Sequence, residues 1–210
     1  VAQFFSIHPD NPQLRLIRQA AAIIRAGGVI VYPTDSCYAL GGHLGDKAVM
    51  TRIRAIRQVD EHHHFTLMCR DLAEVSRYAQ FDNREHRLLK ACTPGSYTFI
   101  FPATREVPRR LQHPKRSTIG VRICDHPVVH ALLAELNEPL LSSTLMLPGD
   151  EFPLNDAEEI RSRLEHQVEL VLDSGACGLE MSTVIDLTGD MPNLVRQGKG
   201  SIAHFGFTHG

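Results

Sequence analysis

The chain has 210 residues, 43% of them hydrophobic, and a formal net charge of −2 from 22 Lys and Arg against 24 Asp and Glu. That length favours one domain and buries enough surface to hold a core without a disulfide or a metal. The near-neutral balance excludes a partner chosen by bulk charge, so any anion site must come from local clustering.

In chain order, the first predicted element is a helix over NPQLRLIRQAAAIIRAGG (11–28). Asn11 can cap it, Pro12 suits its first position, and Gly27 follows its last turn. Leu16, Ile17, Ala20, Ile23 and Ile24 form its apolar face. VIVYPTDSCYALGG (29–42) follows. Its apolar start reads as a strand that must end at Pro33, which has no N–H for a ladder. Thr34, Asp35 and Ser36 then form a hydroxyl-rich tip, read either as a plain turn or as a strand end displayed toward a ligand. A second apolar strand closes on Gly41 and Gly42, which permit close approach of another backbone.

Asp46 caps a predicted helix, DKAVMTRIRAIRQ, with Met50, Ile53 and Ile56 inward and Arg52, Arg54 and Arg57 elsewhere on the cylinder. His62, His63 and His64 come next, read as a solvated loop, with a phosphate contact left open by their position beside Arg57. FTLMC (65–69) reads as a strand. DLAE and DNRE each place Glu three residues after Asp, and each opens a short helix. TPGSYTFIF runs from a turn into a strand. Residues 104–116 are polar and irregular, with Arg105, Arg109, Arg110, Lys115 and Arg116 against Glu106.

TIGVRI (118–123) alternates, Ile119, Val121 and Ile123 on one face and Gly120 and Arg122 on the other. PVVHALLAEL is a helix opened by Pro127, and PLLSSTLMLPG is an apolar strand ending at a turn. Asp156 starts a helix, and strands at 168–173, 182–188 and 193–197 finish the fold. The tail after Gly198 has no period and reads as loose.

Five cysteines (Cys37, Cys69, Cys92, Cys124, Cys177) lie far apart, odd in number and with no C-x-x-C pair, which argues against a disulfide framework or a zinc knuckle. No stretch approaches the ~18 apolar residues of a membrane span. The start, VAQFFSIHPDNP, lacks the basic segment and apolar core of a secretion signal. A cytoplasmic protein with free thiols is the expectation. P-loop, G-x-G-x-x-G and G-x-S-x-G signatures are all missing from the sequence.

Alternating helices and strands imply a single α/β domain on a twisted, mixed parallel and antiparallel sheet, with ligands in a crevice at strand ends. Arginines placed on strands, Arg122 and Arg196, suit phosphate or carboxylate.

YPTDSCYALGG, TPGSYTFIF, TIGVRI, PLLSSTLMLPG, STVIDLT and LVRQG, in this order from about residue 12 to 200, resemble the signature blocks of the YrdC/YciO family. FTLMCRDL and STLMLPGDEF resemble its YciO branch. The resemblance implies a YrdC/RibB-like sheet opening on a concave, positively charged surface. It also implies synthesis of threonylcarbamoyl-AMP and pyrophosphate from L-threonine, bicarbonate and ATP with Mg²⁺, feeding the threonylcarbamoyl modification of a tRNA adenosine.

Carried over by position, Thr34, Ser36, Cys69, Arg122, Thr144 and Ser182 would face threonine. Arg57, Thr98, Thr118, Met146 and Arg196 would face ATP. No catalytic side chain is implied, because proximity and charge neutralisation suffice. Two motifs depart from the family. Its K-x-R pair reads Arg57-Gln58-Val59, and its S-x-N reads Thr144-Leu145-Met146, losses that imply weak synthesis or turnover of the adenylate. The alternative is a non-catalytic protein that binds double-stranded RNA, tRNA or rRNA through Arg52, Arg54, Arg109, Arg110, Lys115 and Arg116. A monomer or weak dimer is expected.

Overall fold

The structure is a computed structural model that describes residues 1–60 and 62–207. Among these residues, ten strands form one sheet in the order β1-β8-β2-β3-β7-β4-β6-β5-β9-β10. The strands are β1 (Gln3–Ser6), β2 (Ile30–Tyr32), β3 (Ala39–His43), β4 (Thr66–Met68), β5 (Tyr97–Pro102), β6 (Thr118–Arg122), β7 (Leu140–Thr144), β8 (Leu170–Asp173), β9 (Thr183–Asp186) and β10 (Asn193–Arg196). Pairings are mixed. β1 and β2 flank β8 in parallel, as β4 does β6 and β5 does β9. The others are antiparallel.

Helices cover both faces. On one, α1 (Leu14–Arg25) and α5 (Pro127–Leu136) bury Ile17, Ile24, Val128 and Leu132 against Tyr32, Leu140 and Leu170. On the other lie α2 (Lys47–Arg57), α3 (Leu72–Tyr78), α4 (Asn83–Cys92) and α6 (Ala157–Leu164). Their Ile53, Val75, Leu89 and Ile160 pack with Leu40, Leu67, Phe99 and Val121. Adjacent strand residues thus enter opposite cores, as a period of two requires.

The helix starts follow the capping chemistry. Asp46 accepts from the N–H groups of Ala48 and Val49 at 3.0 and 3.3 Å. Asp82 and Glu85 form a reciprocal capping box. Asp71 and Asp156 each accept from the N–H three residues on. Such caps are worth about 1 kcal/mol each. Asn11 is a correction. α1 starts at Leu14, and the His8 ring accepts the N–H groups of Asp10 and Asn11, so a separate turn precedes the helix.

Two further expectations change. Residues 3–6 form a strand where none was predicted; β1 is short, and its partly exposed side chains carry no alternation. The tail is docked over 201–207. Ile202 is buried, residues Ala203–Phe205 form a 3₁₀ turn, and the Phe205 ring lies 5.9 Å from Tyr97. The last three residues of the expected loose tail, 208–210, lie outside the described residues.

Candidate functional site

The α1–α5 pair covers part of its face of the sheet, and beyond it the same face is open and polar. Register explains the opening. Gly41 pairs with Ser142, Ser142 with Thr66, and Thr66 with Gly120, so this cross-strand row carries small or hydroxylic side chains until it reaches Ile100, the partner of Gly120. A Cβ on Gly120 would lie 3.2 Å from Thr66 Oγ1 and 3.4 Å from Thr98 Cγ2, so glycine there deepens the floor. The resulting cavity holds about 340 Å³. Its floor is strand interior at Gly120 and Ser142, while Arg122, Thr144, Ser182 and Arg196 stand around it at strand ends, where the sequence suggested a crevice.

Three arginines enter it: Arg57 from α2, Arg122 from β6 and Arg196 from β10. None of the described lining residues is a carboxylate. Arg122 pairs with Asp35 and donates to Ser36 Oγ at 2.9 Å, while its Nε is buried without a partner. The other Asp35 oxygen accepts the N–H of Asp125 at 2.8 Å. Burial pushes the Asp35 carboxyl up, but Arg122 and the hydrogen bonds outweigh it and hold the carboxyl below its ordinary range.

Arg196 donates from Nε and Nη2 to the carbonyl of Ser182, at 3.1 and 2.9 Å. Arg57 donates to Ser143 Oγ at 2.8 Å and reaches His63 Nε2 at 3.1 Å. Burial first, and then the facing Arg196, lower the Arg57 guanidinium from its usual value. Burial likewise lowers Arg196, with Arg122 adding to the effect. Like charges gathered in a concavity with no acid of its own are suited to an anion.

Of the residues expected to face threonine, Arg122, Thr144 and Ser182 line the cavity. Ser36 sits behind Arg122 and steers its guanidinium. Thr34 is spent on its own turn: its Oγ1 accepts from the N–H groups of Ser36 and Cys37 and donates to the Cys37 carbonyl. Cys69 is a correction. It is buried in the opposite core with Leu67, because Thr66 and Met68 take the cavity-facing parity of that strand.

Of the residues expected to face ATP, Arg57, Thr98 and Arg196 line the cavity, and Thr98 Oγ1 lies 2.8 Å from Ser182 Oγ. Thr118 shares the parity of Gly120 and Arg122 but falls outside the lining, its Oγ1 buried without a partner. Met146 also falls outside the lining and offers only its carbonyl, 3.4 Å from Arg57 Nε.

The arginines of α2 point three ways. Arg52 pairs with Glu169 at 2.8 Å, Arg54 lies over the Phe65 ring at 5.0 Å, and Arg57 enters the cavity. They form no single face. Residues 104–116 are less irregular than expected. Val107 and Leu111 are buried, Arg109 and Arg110 sit on a 3₁₀ turn, and Lys115 and Arg116 are exposed beyond it.

Sequence reasoning missed Asp35 as the partner of Arg122. It placed the three histidines in a solvated loop; His62 and His64 are exposed as expected, His63 is half-buried, and all three border the cavity, with His64 stacked on His113 at 4.8 Å. The signal for His63 lay in Arg57 and Ser143, whose convergence only the tertiary structure reveals.

The Sua5/YciO/YrdC family model, described as telomere recombination, matches residues 22–198. The chain is 57% identical over 205 residues to the uncharacterized protein YciO of Escherichia coli (strain K12), spanning 98% of this chain and 100% of that one. The crystal structure of E. coli YciO superposes with a TM-score of 0.95. A threonylcarbamoyl-AMP synthase of Chromobacterium violaceum is 31% identical over 180 residues, 85% of this chain and 92% of that protein. P. abyssi Sua5 complexed with L-threonine matches at a TM-score of 0.85 and 25% identity, over 94% of this chain and 58% of that one. By sequence and by fold, the chain belongs to the Sua5/YciO/YrdC family.

Proposed function

We propose that the cavity seats L-threonine beside ATP and that the protein forms or turns over threonylcarbamoyl-AMP. One observation carries this reading: Arg122, Thr144 and Ser182 share a single hollow with Arg57, Thr98 and Arg196. In P. abyssi Sua5, of the same fold, a structure is complexed with L-threonine.

The threonine carboxylate would meet Arg122, whose buried Nε lacks a partner. The triphosphate would lie toward Arg57 and Arg196. The threonine amine attacks the carbon of bicarbonate and water is lost; the carbamate oxygen then attacks the α-phosphate and pyrophosphate leaves. No protein nucleophile is needed. The arginines neutralise charge on the phosphates, and the cavity holds the reactants close. The described lining has no carboxylate to hold a cation, so Mg²⁺ would enter on the nucleotide's own phosphates.

Val59 in place of a second cation, and Met146 in place of an amide, favour slow synthesis or net consumption of the adenylate. The product class would connect the protein to the threonylcarbamoyl modification of tRNA, in the cytoplasm.

The test is to incubate the protein with ATP, threonine and labelled bicarbonate, and separately with preformed threonylcarbamoyl-AMP. Pyrophosphate release with adenylate formation, or accelerated loss of the adenylate, is expected, and either should collapse in Arg196→Ala. If the protein neither makes nor consumes the adenylate, the reading fails.

A further inference from the structure

His63 occupies an unusual place. Its Nε2 lies 3.1 Å from Arg57 Nη1 and 3.1 Å from Ser143 Oγ, inside the cavity. A guanidinium carries donors only. The ring nitrogen facing it therefore holds a lone pair, and His63 is neutral with its proton on Nδ1. Ser143 completes the arrangement, accepting from Arg57 at 2.8 Å. The ring is clamped edge-on against Phe65, at 5.5 Å between centroids.

We propose that His63 is a conditional third cation for a bound phosphate group: neutral in the free protein, it takes a proton from solvent when phosphate settles between Arg57 and Arg196, and its Nε2–H then donates to a phosphate oxygen. This rests on the nucleotide reading above and deepens it, because it assigns a residue to the charge that Val59 cannot supply.

Among the described residues, Arg57 and Arg54 from α2 and His64 from its own loop act against a protonated ring in the free state, and Asp60 acts for it. Burial, and then Arg57, push the imidazole down to about 4. An opposite charge within about 4–6 Å moves a titration by roughly 1–3 pH units, and a phosphate dianion brings two such charges. That is enough to carry His63 to about neutrality. Arg57 also turns toward the phosphate and releases the Nε2 lone pair it had been facing. The other two cavity histidines are placed differently. His64 stacks on His113, and His62 lies 6.2 Å from the same ring.

The experiment uses inorganic pyrophosphate and ATP as probes. Calorimetry at pH 7 in two buffers of different ionisation heat gives the protons taken up per ligand bound. Comparison with His63→Gln cancels the ligand's own titration. The wild type should take up more protons than His63→Gln. Affinity for pyrophosphate should fall about tenfold more between pH 6 and pH 8 in the wild type than in His63→Gln. In the imidazole NMR spectrum, the signal absent from His63→Gln should move to its protonated position when pyrophosphate is added at pH 7. Binding with identical uptake in His63→Gln, or a ring that stays neutral when occupied, overturns the inference and leaves the nucleotide reading standing. If neither probe binds, both fall together.

Discussion

Asp35 and Arg122 are joined as an ion pair whose side chains are only 10% and 8% exposed. The pair ties the tip after β2 to the end of β6, and Ser36 and the Asp125 N–H complete it. Removing one partner leaves a buried charge uncompensated. Arg122→Ala should therefore cost about 3–5 kcal/mol, and Asp35→Asn less, in urea unfolding at pH 7. The carboxyl of Asp35 is held below its ordinary range, so its contribution is present above that range and drains away as pH falls through it. Asp35→Asn should lose less stability than the wild type between pH 5 and pH 3.

Gly120 keeps the cavity floor low, between Thr66 and Thr98. Gly120→Val should fill that space, its side chain pushing Thr66 and Thr98 aside. Affinity for threonine and ATP should fall at least tenfold, and the tight fit should cost about 1–3 kcal/mol of unfolding free energy. Thermal shift with and without ligands separates the two effects.

Arg57 faces Arg196 across a hollow with no carboxylate among its described lining residues. Arg57→Gln relieves that repulsion while losing the bond to Ser143. The two effects should leave the free protein within about 1 kcal/mol of the wild type. ATP affinity, measured by calorimetry, should drop by about 10–100-fold, the value of a charge-assisted bond to phosphate.

Phe205 packs near Tyr97 and Phe99, and Tyr97 Oη donates to the Ser201 carbonyl at 2.8 Å. Phe205→Ala should lower stability by about 1–3 kcal/mol, a fall of several degrees in the melting temperature. A tail with no packing role would show no change.

Legibility in the sequence followed the physical range of each signal. Caps at Asp46, Asp71, Asp82 and Asp156 were readable because donor and acceptor lie within three residues of one another. The alternation in TIGVRI correctly separated Gly120 and Arg122 from Ile119 and Val121, because a strand's period is local. Cys69 failed for the same reason in reverse: a motif match is blind to parity, and one step along β4 turns a side chain from the cavity to the core. Thr34 was recognised as a hydroxyl at a strand end, but its satisfaction by its own turn depends on backbone geometry. His63 was legible only as a neighbour of Arg57; its partner Ser143, and Asp35's partner Arg122, were out of reach because they stand 80 and 87 residues away. β1 was invisible because its pairing with β8 joins residues far apart in the sequence, Gln3 with Leu170.

The sheet order has a kinetic consequence. Ser182 and Arg196 come from the last stretch of the fold, while Arg57 comes from the first third. A chain still emerging from the ribosome has no finished binding hollow until β10 is out and zipped onto β9. β9 must in turn pair with β5, Tyr97 opposite Thr183, and pairings of such long sequence separation form slowly. Ligand therefore protects only completed molecules, and a chain stalled before residue 196 should remain as vulnerable to proteolysis with ATP and threonine present as without them.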